Sequence, residues 1–208
     1  LQYYPAIGFV RIQGPFNAQR PHDSASRRKI FACRPSPSVP EATCARQILT
    51  SLARRAYRRP VTATEITSVM GFYNEGRKAG TFETGIENAT VAMLASAKFL
   101  YRVEMPPSTA KPGTTYRLSG TELASRLSFF LWSSIPDEEL LDIASKGRLS
   151  DAKVLEQQTR RMLADPKSEA LITNFGGQWL GLRELSKVET SAKNFDDNLR
   201  HSFKRETE

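Results

Sequence analysis

The residues best suited to chemistry are two cysteines, Cys33 and Cys44, at either end of the proline-rich stretch CRPSPSVPEATC. Three uses compete for such a pair. A structural metal site needs about four ligands at short spacings. The chain adds only two distant histidines, His22 and His201, so no metal ligand is assigned. A catalytic redox pair reads Cys-x-x-Cys and a covalent haem site Cys-x-x-Cys-His; neither motif occurs. The third use is a disulfide closing a loop with ten residues between its ends. Chain entropy makes such a loop worth about 3 kcal/mol, and a disulfide belongs in an oxidising compartment. The spacing favours the bridge, with two buried thiols as the alternative.

A second group is cationic. Between Arg11 and Pro60 the chain carries eleven Lys or Arg against two acids, Asp23 and Glu41, a balance of +9. The overall charge is +8, so residues 61–208 sum to −1. Arg54, Arg55, Arg58 and Arg59 concentrate this charge and are the candidate contact for an anionic partner. They also fall in the last turns of an expected helix, where cations answer the negative end of the helix dipole. That structural use is preferred. On helical geometry Arg54 and Arg58 share one face and Arg55 and Arg59 the next. Glu65 and Glu104 are their expected acid partners, and no nucleic-acid surface is predicted.

No catalytic residue is assigned. Hydrolysis calls for a nucleophile, base and orienter, or for two facing carboxylates. Neither histidine stands near a Ser-Gly turn or a cysteine. Asp137, Glu138, Glu139 and Asp142 open an expected helix, where acids suit the dipole without a further role. Gly176-Gly177 lacks the strand and spacing of a phosphate loop. Asn174, Gln178 and Trp179, grouped around that glycine pair, are assigned to packing.

The elements that must position these residues are mostly helical. Hydrophobic content of 39% and charged content of 25% describe a globular chain, and no apolar run approaches the roughly 20 residues of a membrane span. Residues 3–17 read as a strand ending in a Gly-Pro turn. Ser38 and Glu41 have capping-box spacing ahead of a helix that Pro60 stops. Thr62 and Glu65 open a second helix in the same way, ended by Gly80. A third helix is apolar nearly all round near Val91, Met93 and Leu94, which predicts a central, buried position. Ile48, Leu52, Ile66, Met70, Met93 and Leu94 are the expected core of this part. After a Pro/Gly/Thr linker, Ser119 and Glu122 cap the helix carrying Phe129, Phe130, Leu131 and Trp132, which are read as core rather than a cofactor cage. A short acidic helix follows, then one capped by Ser150 and stopped at Pro166, then an amphipathic helix with close-packing Gly176, Gly177 and Gly181. A last helix begins near Asp196. The fold class is mostly α: two consecutive helical units, with a short N-terminal β segment belonging to a preceding domain. The expected division is 1–32, the end of that domain and a connector; 33–105, a three-helix unit; 106–117, a linker; and 118–208, a helical domain. The start at Leu1 and the helical pattern at the end read as an internal piece of a longer protein, whose second helical domain is cut short.

The order of these pieces resembles one array. GPFN, RRKIFACRPS, CARQILTSLARRAYRRPVT, FLYRVE, YRLSGTELASRLSFFLWSSIPDEELL and NFGGQWLGLREL occur in sequence. They are similar to large bacterial secreted proteins built from consecutive domains of unknown function. Residues from about Cys44 to Glu104 resemble the fifteen-ninety-five family, and those from about Tyr116 onward the fifteen-ninety-two family. The resemblance implies export, to the periplasm or cell surface, which strengthens the disulfide reading. It also implies a c-type cytochrome domain elsewhere in the polypeptide, so haem c would lie outside this chain and no cofactor is expected within it. The expected partners are other domains of the same polypeptide and a redox partner. The families supply no catalytic residues to carry over. Three functions follow. The first is a structural or interaction region of an exported, cytochrome-linked multidomain protein. The second is part of the substrate cleft of an oxidoreductase or polysaccharide-acting enzyme. The third is an anionic-polymer-binding module.

Overall fold

In the computed structural model, residues 11, 13–14, 16, 24–111, 113–188 and 195–207 are described. The chain forms two compact units, Leu1–Ala32 and Cys33–Glu208. Most of the strand expected over residues 3–17 lies outside the described residues. The described part of the first unit holds α1 (Ala25–Ile30), capped by the Ser24 hydroxyl on the Arg27 N–H.

The described residues of the second unit are mostly helical. It contains α2 (Glu41–Tyr57), α3 (Ala63–Ala79), α4 (Phe82–Leu94) and the single turn α5 (Ala97–Leu100). Then come α6 (Gly120–Trp132), α7 (Glu138–Ser145), α8 (Ala152–Ala164), α9 (Gly177–Trp179) and α10 (Asp197–Thr207). Local chemistry starts most of these. Capping boxes at Thr62/Glu65 and Ser119/Glu122 open α3 and α6 as the sequence predicts, because each hydroxyl and carboxylate satisfies an orphan N–H of the first turn. A third box, Thr81/Thr84, opens α4.

Several starts differ from expectation. Ser38 does not cap α2; Pro40 stands at that position without a side-chain cap. Ser36 and Val39 instead exchange backbone hydrogen bonds in a tight turn, and the Ser38 hydroxyl lies 3.0 Å from that of Ser36. Asp151, not Ser150, caps α8, its carboxylate accepting from Lys153 and Val154. The expected helix after Pro166 is broken: a 3-10 turn (Pro166–Ser168) leads into a π-helical turn (Leu171–Gly176), and only α9 follows as α-helix.

Helices α2, α3 and α4 enclose one core through Ile48, Leu49, Ile66, Met70, Ile86 and Met93. Leu52 is half-buried, and Leu94 and Val91 are 44% and 60% exposed, so α4 is not buried all round. It meets α3 along one stripe of small residues. A Cβ on Gly76 would stand 2.6 Å from the Asn88 Cβ, and one on Gly85 2.6 Å from the Tyr73 ring. The close approach lies here rather than at Gly176 and Gly177, where a Cβ would have ordinary room. Ala124, Leu131, Trp132, Leu140, Ala144, Leu149 and Met162 form a second core among α6, α7 and α8. Trp132 is fully enclosed, its indole N–H donating to the Met162 carbonyl at 2.8 Å. Phe130, by contrast, is half exposed.

Candidate functional site

Cys33 and Cys44 are joined as a disulfide, with Cα atoms 5.5 Å apart. Cys44 sits in the first turn of α2 and is fully buried. The bridge therefore fastens the irregular segment before α2 to the start of the first core. Entropy lost by the unfolded chain is how such a bond stabilises a fold.

The four arginines at the other end of α2 part company. The helix closes in a Schellman arrangement: the Arg59 N–H reaches the Arg54 carbonyl, and the Arg58 N–H that of Arg55. Arg58 is left-handed, φ 57°, a position where glycine is the usual residue. That turn swings its side chain off the face it would share with Arg54 and buries it, 6% exposed. Its guanidinium donates to four carbonyls: Ala56, Lys98, Phe99 and Tyr101, at 2.9–3.2 Å. The last three belong to α5 and the residue after it, so Arg58 holds that short turn in place. Burial first, and the like charge of Arg102 second, lower its pKa from the ordinary arginine value.

The other three cations find acids. Arg54 pairs with Glu138 at 3.2 Å and with Asp142, and Arg55 approaches Glu138 at 3.9 Å. Arg59 grips Glu65 with two hydrogen bonds of 2.7 and 3.1 Å, and Lys98 reaches the same carboxylate at 2.6 Å. The Arg59 bonds, then those from Lys98 and the Thr62 N–H, hold Glu65 far below the usual carboxylate range against the opposing cost of burial. Glu104 takes Arg126 of α6 rather than an α2 arginine, at 2.5 and 3.0 Å.

Arg58 and Arg59, but not Arg54 or Arg55, border a cleft of about 740 Å³ between the end of α2, α5 with the extended residues after it, and the start of α6. Arg58, Arg59, Lys98, Arg102, Glu104 and Arg126 supply its charges, together with Glu122. The Glu122 carboxylate accepts from the Ser119 N–H at 2.9 Å and from the Met105 N–H at 3.1 Å. Arg102 lies over the Phe129 ring at 4.3 Å. Sequence reasoning missed Lys98, Arg102 and Arg126 because they stand 39 or more residues from the arginines they join. Only the KFLYRVE and GTELASR segments, unremarkable singly, carry them.

The acids at the start of α7 are taken up by neighbouring side chains and backbone. Asp137 caps α7 and binds Arg161; Glu139 accepts from Gln158; Glu138 and Asp142 take Arg54. Among the described residues no group of three His, Cys, Asp or Glu side chains could hold a metal ion. His201 is exposed on α10, and His22 lies outside the described residues. Asn174 ties the π-helical turn to Ser133, and Arg183 binds Asn174 in turn. Gln178 and Trp179 are exposed, and Trp179 stacks on Phe175, which meets Phe130 edge-on. No described helix is long and apolar enough to cross a membrane.

Comparison with known proteins adds two matches. Residues 44–104 match the family described as PSD5: Protein of unknown function (DUF1595), and residues 118–208 the family described as PSD4: Protein of unknown function (DUF1592). No curated protein and no solved structure matches the chain.

Proposed function

The chain joins the DUF1595 family to the DUF1592 family in that order, and from this premise we propose that it is a structural and interaction region of an exported multidomain protein whose redox chemistry resides in a c-type cytochrome domain. The carrying observation is the way the two family segments are clamped. Arg54 of α2 reaches Glu138 and Asp142 of α7, Glu104 reaches Arg126 of α6, and Glu122 accepts from the Met105 N–H. Ion pairs of this kind are individually weak when exposed, but several along one seam fix orientation, which is what a scaffold requires. The Cys33–Cys44 bridge supports an oxidising location. The cleft at this seam also favours a second reading, a substrate-holding surface of an enzyme whose reacting groups come from another domain.

Fractionation of cells making the full-length protein tests the first reading. Expected are a non-reduced Cys33–Cys44 peptide and covalent haem in the exported fraction. Alkylatable thiols at both positions in native protein would defeat the export reading. An exported protein without covalent haem would defeat the cytochrome link.

A further inference from the structure

The cleft wall carries two guanidinium charges that no carboxylate answers. Every terminal N–H bond of Arg58 goes to a neutral carbonyl, so its hydrogen bonding is satisfied while its charge is not. The charge that acts on it is another cation, Arg102. Among the described residues neither side chain makes an ion pair. The other cations of the cleft are treated differently: Arg59 and Lys98 share Glu65, and Arg126 has Glu104. Counting Glu65 with Glu104 and Glu122, the cleft sets five cations against three carboxylates, a surplus of two. Burying one such charge without an opposite partner is costly. A concave, low-dielectric wall also focuses the resulting field into the opening.

Arg102 is arranged to use that field. Its guanidinium carbon lies over the Phe129 ring, 4.3 Å from the centroid, and among the described residues no carboxylate takes its N–H groups, which are donors suited to a planar oxyanion. Ser119, Thr121 and Ser125, at the start of α6, also line the cleft. The volume, about 740 Å³, is that of a small-molecule site.

We propose that this cleft binds a small hydroxylated oxyanion of the uronate or sugar-phosphate class, with its anionic group on Arg102 and its hydroxyls toward the start of α6. Arg58 supplies charge from within the wall rather than a direct contact. The site is independent of export or of any haem, so it stands or falls separately from the scaffold reading.

Calorimetric titration of the chain with galacturonate, glucose 6-phosphate and galactose at low salt tests it. One or both anions should bind with a Kd of about 1 mM or tighter, and galactose should not bind at the same concentrations. The anion that binds identifies carboxylate or phosphate as the natural group. Arg102→Gln, on an exposed residue outside both cores, should keep the helical circular dichroism and weaken binding about tenfold or more. Arg102→Lys should recover part of that loss. The proposal is overturned if neither anion binds at about 20 mM, if galactose binds as tightly as the anions, or if Arg102→Gln leaves binding unchanged.

Discussion

Replacing Arg58 probes the left-handed turn and the buried guanidinium at once. Arg58→Ala removes four hydrogen bonds from a charged donor to carbonyls. At roughly 1.5–3 kcal/mol each the gross loss exceeds about 6 kcal/mol. Two effects offset it. The variant no longer buries an unanswered cation, itself a cost of several kcal/mol, and the Lys98 and Tyr101 carbonyls lie beside an open cleft where water can replace the guanidinium. The net destabilisation should be about 2–4 kcal/mol. For a unit of this size that lowers Tm by roughly 2–4 °C per kcal/mol, about 5–15 °C. Arg58→Gly loses the same bonds but relieves the positive φ of 57°. It should therefore be more stable than Arg58→Ala by about 1 kcal/mol. Urea and thermal unfolding followed by circular dichroism measure both. Arg58→Ala within about 1 kcal/mol of wild type would show that the four bonds do not hold α5. Equal stability of the Gly and Ala variants would show that the turn is not left-handed in solution.

Four further outcomes are expected. In α3, Gly76→Ala should cost about 1–3 kcal/mol, because its Cβ would meet Asn88 and the Thr84 carbonyl at 2.6 and 2.8 Å. Gly71→Ala in the same helix, with nothing within 4 Å, should stabilise by about 0.5–1 kcal/mol in the same unfolding assay. Reducing the Cys33–Cys44 bridge, or Cys33→Ser, should cost up to about 3 kcal/mol, read as a lower urea midpoint with the helix content kept. Glu65 has a folded pKa below its unfolded one, so its contribution is complete above the unfolded value near 4.3 and drains away as pH falls toward the folded value. Between about pH 5 and 3 wild type should therefore lose roughly 1.5 kcal/mol more than Glu65→Gln; parallel pH profiles would show that the Arg59–Glu65–Lys98 cluster adds nothing.

What the sequence makes legible here is what acts within a few residues. The Thr62/Glu65 and Ser119/Glu122 boxes lie three positions apart and need no tertiary help, so they form as their spacing predicts. The same spacing at Ser38/Glu41 forms no box: Ser36 and Val39 close a turn of their own, α2 starts only after Pro40, and the Glu41 carboxylate goes instead to Tyr73 and Arg77 of α3 at 2.6 and 2.7 Å. The apolar middle of α4 overstated its burial for a related reason. Small residues let α3 come very close on one side, and the opposite side, with Val91 and Leu94, is left outside that contact. The π-helical turn at Leu171–Gly176 differs from α-helix only in which carbonyl each N–H finds, and no side-chain period announces that.

The arginines carry the argument furthest. Arg54 and Arg58 stand at i and i+4, and a continuous helix would stack them on one face. Pro60 makes a stop near this point readable, but it does not say which residue takes the left-handed position, since arginine has no preference for it. Once Arg58 takes it, two residues of identical chemistry acquire opposite circumstances. Arg54 remains on the helix and joins acids of α7 more than 80 residues on, while Arg58 turns inward to the carbonyls of α5. A charge count over the segment sees four equal cations. The fold makes three of them partners of carboxylates and leaves the fourth buried beside Arg102, so a single backbone torsion, rather than the richness of the arginine cluster, decides which arginine of the segment adds its unanswered charge to that of Arg102 in the cleft.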